Sequence, residues 1–305
     1  MKACVIGGCG FIGSHLVDGL LVDGWQVIVF DRVMERYRAP LPGVEYILGE
    51  LGNKGLLGTI LRGVDVVFHL VSTTVPQSSN ESPVFDIQSN LIDTIGLLDA
   101  CVACGVKKVI FFSSGGTVYG IPRAVPVSED HPTEPISSYG IVKLAIEKYL
   151  HLYNRLYSLP YTILRPSNPF GVRQNPSGQQ GAVAVFLGRV AQGLPIVVWG
   201  DGEIVRDYIE IHDLVRAAIL SAETTAKSQV FNIGSGQGTS INTLIDIIRS
   251  VVDKPVAKMH LPARPFDVPS VVLDISRAQA ELKWKPQASL EDGITRTWEW
   301  TKSVE

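Results

Sequence analysis

The sequence is short of sulfur, of unbalanced charge and of long apolar runs, and each shortage removes a class of protein. Four of its 305 residues are cysteine. The one close pair, Cys101 and Cys104, has no second pair to complete a zinc site and lies in a helical pattern, so buried thiols are expected there and no metal. Cys4 in an apolar strand and Cys9 in a glycine turn are expected to serve packing. Lys and Arg number 27 against 30 Asp and Glu, a net charge of -3. With both signs interspersed, no broad field draws nucleic acid or an anionic membrane, and any anionic ligand must be held by particular arginines. The chain shows neither a charged leader with a cleavage site nor an apolar run expected to span a bilayer, which reads as cytoplasmic with no membrane partner. Internal repeats and low-complexity segments are absent too. What remains is a globular composition, 46% apolar, of a length suited to two lobes.

The chain opens with a short apolar strand from Lys2 that breaks at Gly7-Gly8-Cys9-Gly10-Phe11-Ile12-Gly13 and continues as a helical run from Ser14. In a strand, glycine turn and helix of this spacing, Gly7 permits the tight turn and Gly10 lets backbone approach a pyrophosphate. Gly13 lets helix and strand pack closely, and the helix N-terminus faces the phosphates. A second strand, Gln26 to Phe30, ends at Asp31, at the distance expected for a carboxylate on an adenosine ribose. Asp31 favours NAD over NADP, while Arg32 beside it is a residue type that receives a 2'-phosphate.

The pattern continues with strands Val44 to Leu48 and Val64 to Leu70, helix Val84 to Cys104, strand Lys107 to Ser113, helix Ser138 to Tyr157 and strand Tyr161 to Arg165. Strands alternating with helices predict a parallel sheet covered on both faces, with ligands at the carboxyl ends of its strands. On the last of these helices Tyr139 and Lys143 stand four residues apart and share a face. A phenol is a poor base near neutral pH, but an adjacent cation favours the phenolate, so the pair reads as an activated proton carrier.

After Asn168 the composition changes. A polar loop precedes helix Ala182 to Ala191. Strands Ile196 to Trp199 and Ile204 to Ile209 then flank Gly200-Asp201-Gly202, a hairpin signature. Helix Asp213 to Ala222 and strand Gln229 to Ile233 are expected to return to the first lobe, and Ser240 to cap a helix from Ile241. The expected division is a dinucleotide-binding domain over residues 1–168, rejoined by 207–233, and a substrate lobe over 169–305.

With the glycine turn, Asp31, the loop Ser113 to Gly120, Tyr139 and Lys143 in order, and with Arg206-Asp207-Tyr208 and Arg264-Pro-Phe-Asp267-Val-Pro269 behind them, the chain resembles the extended short-chain dehydrogenase/reductases, closest to the nucleotide-sugar epimerases. The resemblance spans nearly the whole chain. It implies an α/β fold, a Rossmann-like doubly wound parallel sheet with a smaller α/β substrate-binding lobe, and NAD as cofactor. It makes Tyr139 the acid/base, Lys143 its partner on the nicotinamide ribose, and Arg206 and Arg264 the grip on a UDP-sugar diphosphate. It further implies cofactor contacts from Phe11, Ile12, Leu51, Leu70, Glu50 and Asn90, and substrate contacts from Asn168, Val198, Asp267 and Val271. The small Val271 implies room beside the sugar's C2 substituent for an N-acetyl group. The family's catalytic hydroxyl falls at Gly115, so Ser114 or Thr117 must replace it. Asp93 stands where a glycine is common.

The implied reaction is C4 epimerisation of a UDP-sugar such as UDP-glucose through a transient 4-keto sugar. A dehydratase or decarboxylase would need carboxylates in the loop that here holds Gly115, Gly116 and Thr117. A non-catalytic NAD-binding scaffold would not need the Tyr-Lys pair. The family's habit of pairing through helices matching Val84 to Cys104 and Ser138 to Tyr157 implies a homodimer.

Overall fold

The structure is a computed structural model that describes residues 1–304 apart from 179, 227, 228 and 265–267. Seven largely apolar segments form one parallel sheet, as runs without polar alternation do when both faces are covered. They are β1 (Lys2–Ile6), β2 (Gln26–Asp31), β3 (Val44–Leu48), β4 (Val66–His69), β5 (Lys108–Phe112), β6 (Tyr161–Pro166) and β10 (Val230–Ile233). Across the sheet the order is β3-β2-β1-β4-β5-β6-β10. Chain direction across the sheet therefore reverses between β1 and β4, and a crevice opens at their carboxyl ends.

Alternate strand residues feed two cores. Val5, Val27, Val29 and Phe68 share one with helices α1 (Phe11–Val22) and α8 (Ile211–Glu223). Cys4, Ile6, Ile28 and Val67 share the other with α2 (Lys54–Ile60), α5 (Asp93–Cys104) and α6 (Ser138–Tyr157). Between β4 and α5 the chain forms two short helices, α3 (Pro76–Glu81) and α4 (Pro83–Asp86), and then a π-helical stretch, Ile87–Ile92. The helix expected to run unbroken from Val84 is thus widened across Asn90, and such widenings collect at functional sites.

The rest of the chain builds β7 (Asn168–Phe170), α7 (Ala182–Ala191), β8 (Ile196–Trp199), β9 (Val205–Glu210), β11 (Gly238–Ser240), α9 (Ile241–Val251), β12 (Lys258–Leu261), β13 (Ser270–Val271), α10 (Ser276–Glu281) and α11 (Leu290–Val304). A third core holds Phe170, Phe186, Leu187, Leu244, Ile248 and Trp298. The expected hairpin is corrected: β8 pairs with β12, and β9 with β7, β11 and β13. The glycine turn forms, but the backbone after it is engaged elsewhere, since Asn242 N donates to Gly202 O at 3.0 Å and Ile241 N to Ile204 O at 3.2 Å. Those bonds point the chain at the start of α9 instead of back along β8.

A second expectation is also revised. Pro83–Cys104 is long and apolar enough, by length and composition, to cross a bilayer. In the fold its Leu97, Leu98 and Cys101 fill the core and its Asp86 and Asn90 are hydrogen-bonded within the protein, as in the core helix of a globular domain.

A half-buried polar cluster around the buried His15 ties α1 to the loop that follows β7. His15 accepts at Nδ1 from Arg173 Nη2 at 2.6 Å, and because arginine has no acceptor the proton sits on Nε2, which donates to Val172 O at 2.8 Å. Asp18 binds both Arg173 and Arg38. Burial, with Arg173 beside it, lowers the His15 pKa to about 4. The unfolded chain therefore takes up this proton first: stability is complete above the unfolded value near 6.5 and is lost as pH falls from there toward 4, by about 3 kcal/mol for this group. Denaturant midpoints measured across that window should fall steeply for the wild type and less so for His15→Gln.

Candidate functional site

At the end of β1 the glycine turn has the shape the spacing demands. Gly7 takes φ +88°, and a Cβ on Gly13 would lie 2.2 Å from Gly7 O, so helix and strand pack backbone to backbone. Beyond Gly10 the nearest obstacle to a Cβ is Gly7 O at 3.4 Å, which leaves the turn open outward. Gly10 caps α1 without a side-chain hydrogen bond, and no acidic residue stands in the first turn. The first amides, on Phe11, Ile12 and Gly13, thus keep their positive end for a ligand anion. Asp31 accepts from Cys9 N at 3.0 Å and from Arg32 N at 2.7 Å, which places its carboxylate against the turn. Arg32 is exposed beside it. Leu70 N donates to Ile6 O at 2.9 Å across the switch point, Leu51 is buried, and Glu50 is exposed next to Asp93, whose carboxyl is raised by burial and by the Glu50 charge. These residues fit a dinucleotide: an open turn, free amides for a pyrophosphate and an acid for a ribose.

Ser137 caps α6 by accepting from Gly140 N at 3.2 Å, which sets Tyr139 in the first turn. Lys143 is buried, donates to Phe112 O at 2.9 Å and lies 5.6 Å from the Tyr139 ring. Burial lowers its pKa to about 8 and pushes the phenol up to about 12. The expectation that the lysine would depress the phenol is corrected at this point: desolvation of the phenolate outweighs a cation turned toward a backbone carbonyl.

Glu147, one turn further along α6, is buried against Arg165 at the end of β6, with Arg165 Nε and Nη2 at 3.0 and 2.6 Å from its two oxygens. Ser113 Oγ also donates to it, at 2.5 Å. Arg165 reaches on to the Tyr119 hydroxyl, which donates to Asn232 of β10. One network therefore holds the ends of β5, β6 and β10 to the helix that carries Tyr139.

The remaining sequence-named residues fall in several places. Asn90 is buried and its amide serves the protein: Oδ1 accepts from Thr73 N at 2.9 Å and Nδ2 donates to Asp86 at 2.8 Å. Asn168 donates to Asp207 O at 2.8 Å. Arg206 donates to Val205 O and Val268 O, and Arg264 lies 5.4 Å from the Trp199 ring. Asp267 lies outside the described residues. Two expectations are corrected. Val198, 1% exposed, faces the third core, while Trp199 is 40% exposed, because successive strand residues point to opposite sides. Val271, 4% exposed, belongs to the same buried cluster as Val118 and Leu273, so its small size serves packing.

Sequence reasoning missed Ser72, Asp86 and Trp199. Ser72 Oγ donates to Thr74 O at 3.0 Å, and Asp86 accepts from Ser138 Oγ at the start of α6 at 2.7 Å. The signal for Ser72 was the run Ser72-Thr73-Thr74, two residues past the end of β4, at the edge where ligands bind. Of the two hydroxyls named from sequence, Ser114 is half-buried and Thr117 Oγ1 is buried without a partner. Gly115 has no room for a side chain: a Cβ would meet Leu273 Cδ1 at 2.6 Å and Arg165 O at 3.0 Å. Gly115→Ser should therefore lower stability by about 1–3 kcal/mol through overpacking and give no gain in turnover, read by thermal denaturation beside a rate assay.

Residues 3–234 match the model of the NAD dependent epimerase/dehydratase family. The chain is 36% identical over 301 residues to a putative UDP-glucose 4-epimerase of Methanocaldococcus jannaschii, covering 98% of both. It superimposes with a TM-score of 0.95 and 37% identity on the crystal structure of UDP-glucose 4-epimerase with UDP-glucose from Thermotoga maritima, covering 100% of this chain and 99% of that one. The UDP-N-acetylglucosamine 4-epimerase of Methanobrevibacter ruminantium, in complex with UDP-N-acetylmuramic acid, gives 0.94 at 32% identity, covering 100% and 99%. An open glycine turn, an acid at the end of β2 and a Tyr-Lys pair at the mouth of one crevice accord with these matches, and the chain belongs to the NAD-dependent epimerase/dehydratase family.

Proposed function

We propose that this chain is an NAD-dependent UDP-sugar 4-epimerase acting on UDP-glucose and UDP-galactose. The observation that carries this reading is Tyr139 with Lys143 at the crevice, in company with two buried carboxylates that are both engaged. Glu147 is saturated by Arg165 and Ser113, and Asp86 by Thr74, Ser138 and Asn90. A dehydratase must move a second proton at a neighbouring carbon, and neither buried acid is free to do so.

NAD, when bound, supplies the hydride acceptor and donor. Gly7, Gly10, Phe11, Ile12, Gly13 and Asp31 would hold its adenosine half. Tyr139 holds and moves the proton of the sugar's 4-hydroxyl. Lys143, fixed by Phe112 O, keeps a cation beside the phenol, and Arg206 and Arg264 supply charge for the diphosphate. The relatives include an enzyme named for an N-acetylated sugar, which supports assaying UDP-N-acetylglucosamine beside UDP-glucose.

The enzyme acts as a cytoplasmic homodimer. α6 exposes Ile141, Leu152, Leu156 and Tyr157, and the neighbouring helical stretch exposes Val84, Phe85, Ile87 and Ile92. Such an apolar face suits a second copy of the chain. The four free thiols suit a reducing compartment.

Incubation with NAD and UDP-glucose, followed by NMR, should show UDP-galactose. Tyr139→Phe should cut turnover at least about 100-fold while NAD stays bound; retention of more than a few per cent of the rate would remove Tyr139 from the acid/base role. Sedimentation should give a dimer, and Leu156→Arg a smaller species; a monomeric wild type would rule out this face as the interface.

A further inference from the structure

Three segments distant in the chain meet beside the glycine turn, around a cavity of about 230 Å³. Gly10 and Phe11 line it from the turn, Arg36 and Tyr37 from the loop between β2 and β3, and Arg173 and Asn175 from the loop after β7. The loop between β2 and β3 leaves the sheet against Asp31, which accepts from Arg32 N at 2.7 Å. It returns where Leu41 N donates to the Tyr46 hydroxyl at 3.2 Å. Between those ends Arg38 binds Asp18 and donates from Nη2 to Ser14 O at 2.8 Å, both on α1. The loop is thus strapped across the helix whose N-terminus would hold a pyrophosphate.

Two further ties come from residues far along the chain. Glu35, its side chain 3% exposed, has Oε1 2.6 Å from Arg38 Nε and 3.6 Å from Arg173 Nη1, and Arg173 Nη2 lies 2.7 Å from Asp18 Oδ2. The Tyr37 ring packs edge-on against Trp300 of α11, with centroids 5.1 Å apart and planes at 82°. Both partners stand on the third core, α11 through Trp298 and the loop after β7 through Phe170. Arg36, exposed between Glu35 and Tyr37, makes no ion pair among the described residues. The cavity therefore offers a cation beside the free amides of α1.

We propose that Arg173 and Trp300 are positioning residues for the cofactor: they hold residues 32–40 as a strap beside the glycine turn, and release of NAD requires that strap to lift. The proposal rests on NAD as the cofactor, and on the epimerase reading for why retention matters. C4 epimerisation takes a hydride from the sugar and returns it to the same carbon, so reduced cofactor lost between the two steps would leave a 4-keto sugar and an idle enzyme. A segment that must move before a ligand leaves sets the release rate. Here the ties are of two kinds, charge at Glu35 and aromatic contact at Tyr37. Both reach the strap from the third core, so a part of the molecule outside the parallel sheet governs how long the cofactor stays. A role confined to folding would lower thermal stability and leave the release rate unchanged.

The test uses the full chain loaded with NADH and mixed with excess NAD+, so that loss of bound-NADH fluorescence reads the release rate. Trp300→Ala and Tyr37→Ala should each speed release roughly 3- to 10-fold, and Trp300→Phe should restore most of the wild-type rate. The variant carrying both alanines should be no faster than either single one. Arg173→Gln, which strips a cation from Glu35, should speed release at least about 10-fold. With UDP-glucose and no added NAD, the fast-release variants should lose turnover over time and regain it when NAD is supplied. If Trp300→Ala and Arg173→Gln both release within twofold of wild type, the strap does not hold the cofactor. If the effects of Tyr37→Ala and Trp300→Ala multiply in the double variant, Trp300 does not act through Tyr37. A wild type inert toward every UDP-sugar would overturn the epimerase reading instead, and the release rates would still decide the strap.

Discussion

The site depends first on the buried pair of Arg165 and Glu147. Taking both charges out of water offsets most of their attraction, so the net stabilisation is small, yet removing one would strand the other at a cost of about 3–5 kcal/mol. What the pair contributes is geometry. Glu147 lies four residues past Lys143 and eight past Tyr139 on one helix, so a bidentate contact at 3.0 and 2.6 Å fixes the rotation of α6 about its axis. Ser113, Tyr119 and Asn232 extend that hold to the ends of β5 and β10. Tyr139 and Lys143 are therefore aimed by a contact buried well behind them.

Much of this was legible in the sequence because its causes are local. Gly7 is required by its positive φ and Gly13 by a backbone approach that no side chain permits, and Asp31 ends the next strand against the same turn. The sheet follows from apolar runs interleaved with helical ones, and α6 from its Ser137 cap and its period. These features need no knowledge of what packs against them.

Where the reading failed, the answer lay in a partner distant in the chain. The pairing of β8 with β12 instead of β9 is decided by α9, whose first residues bind the backbone after the turn. Val198 and Val271 face inward because of the pleat and the core they meet, which a resemblance of position does not report. Ser79, Asn80 and Asp86 reach Ser138 and Tyr139 across more than fifty residues of chain, and a run of small polar residues reads as loop until the helix it wraps is known. The height of the phenol's pKa is likewise set by burial, which depends on the whole lobe.

The π-helical stretch after Asp86 has a mechanical consequence. Val84 and Phe85 point to solvent while Asp86, the next residue, points to the start of α6. A wide turn directly afterwards lets that one-residue change of direction occur without rotating all of α5 out of the core. The outer surface of the molecule and the carboxylate behind its phenol thus sit on a single turn of backbone, like two ends of a short lever. Only about 4 Å of chain separates the exposed Phe85 from the buried Asp86.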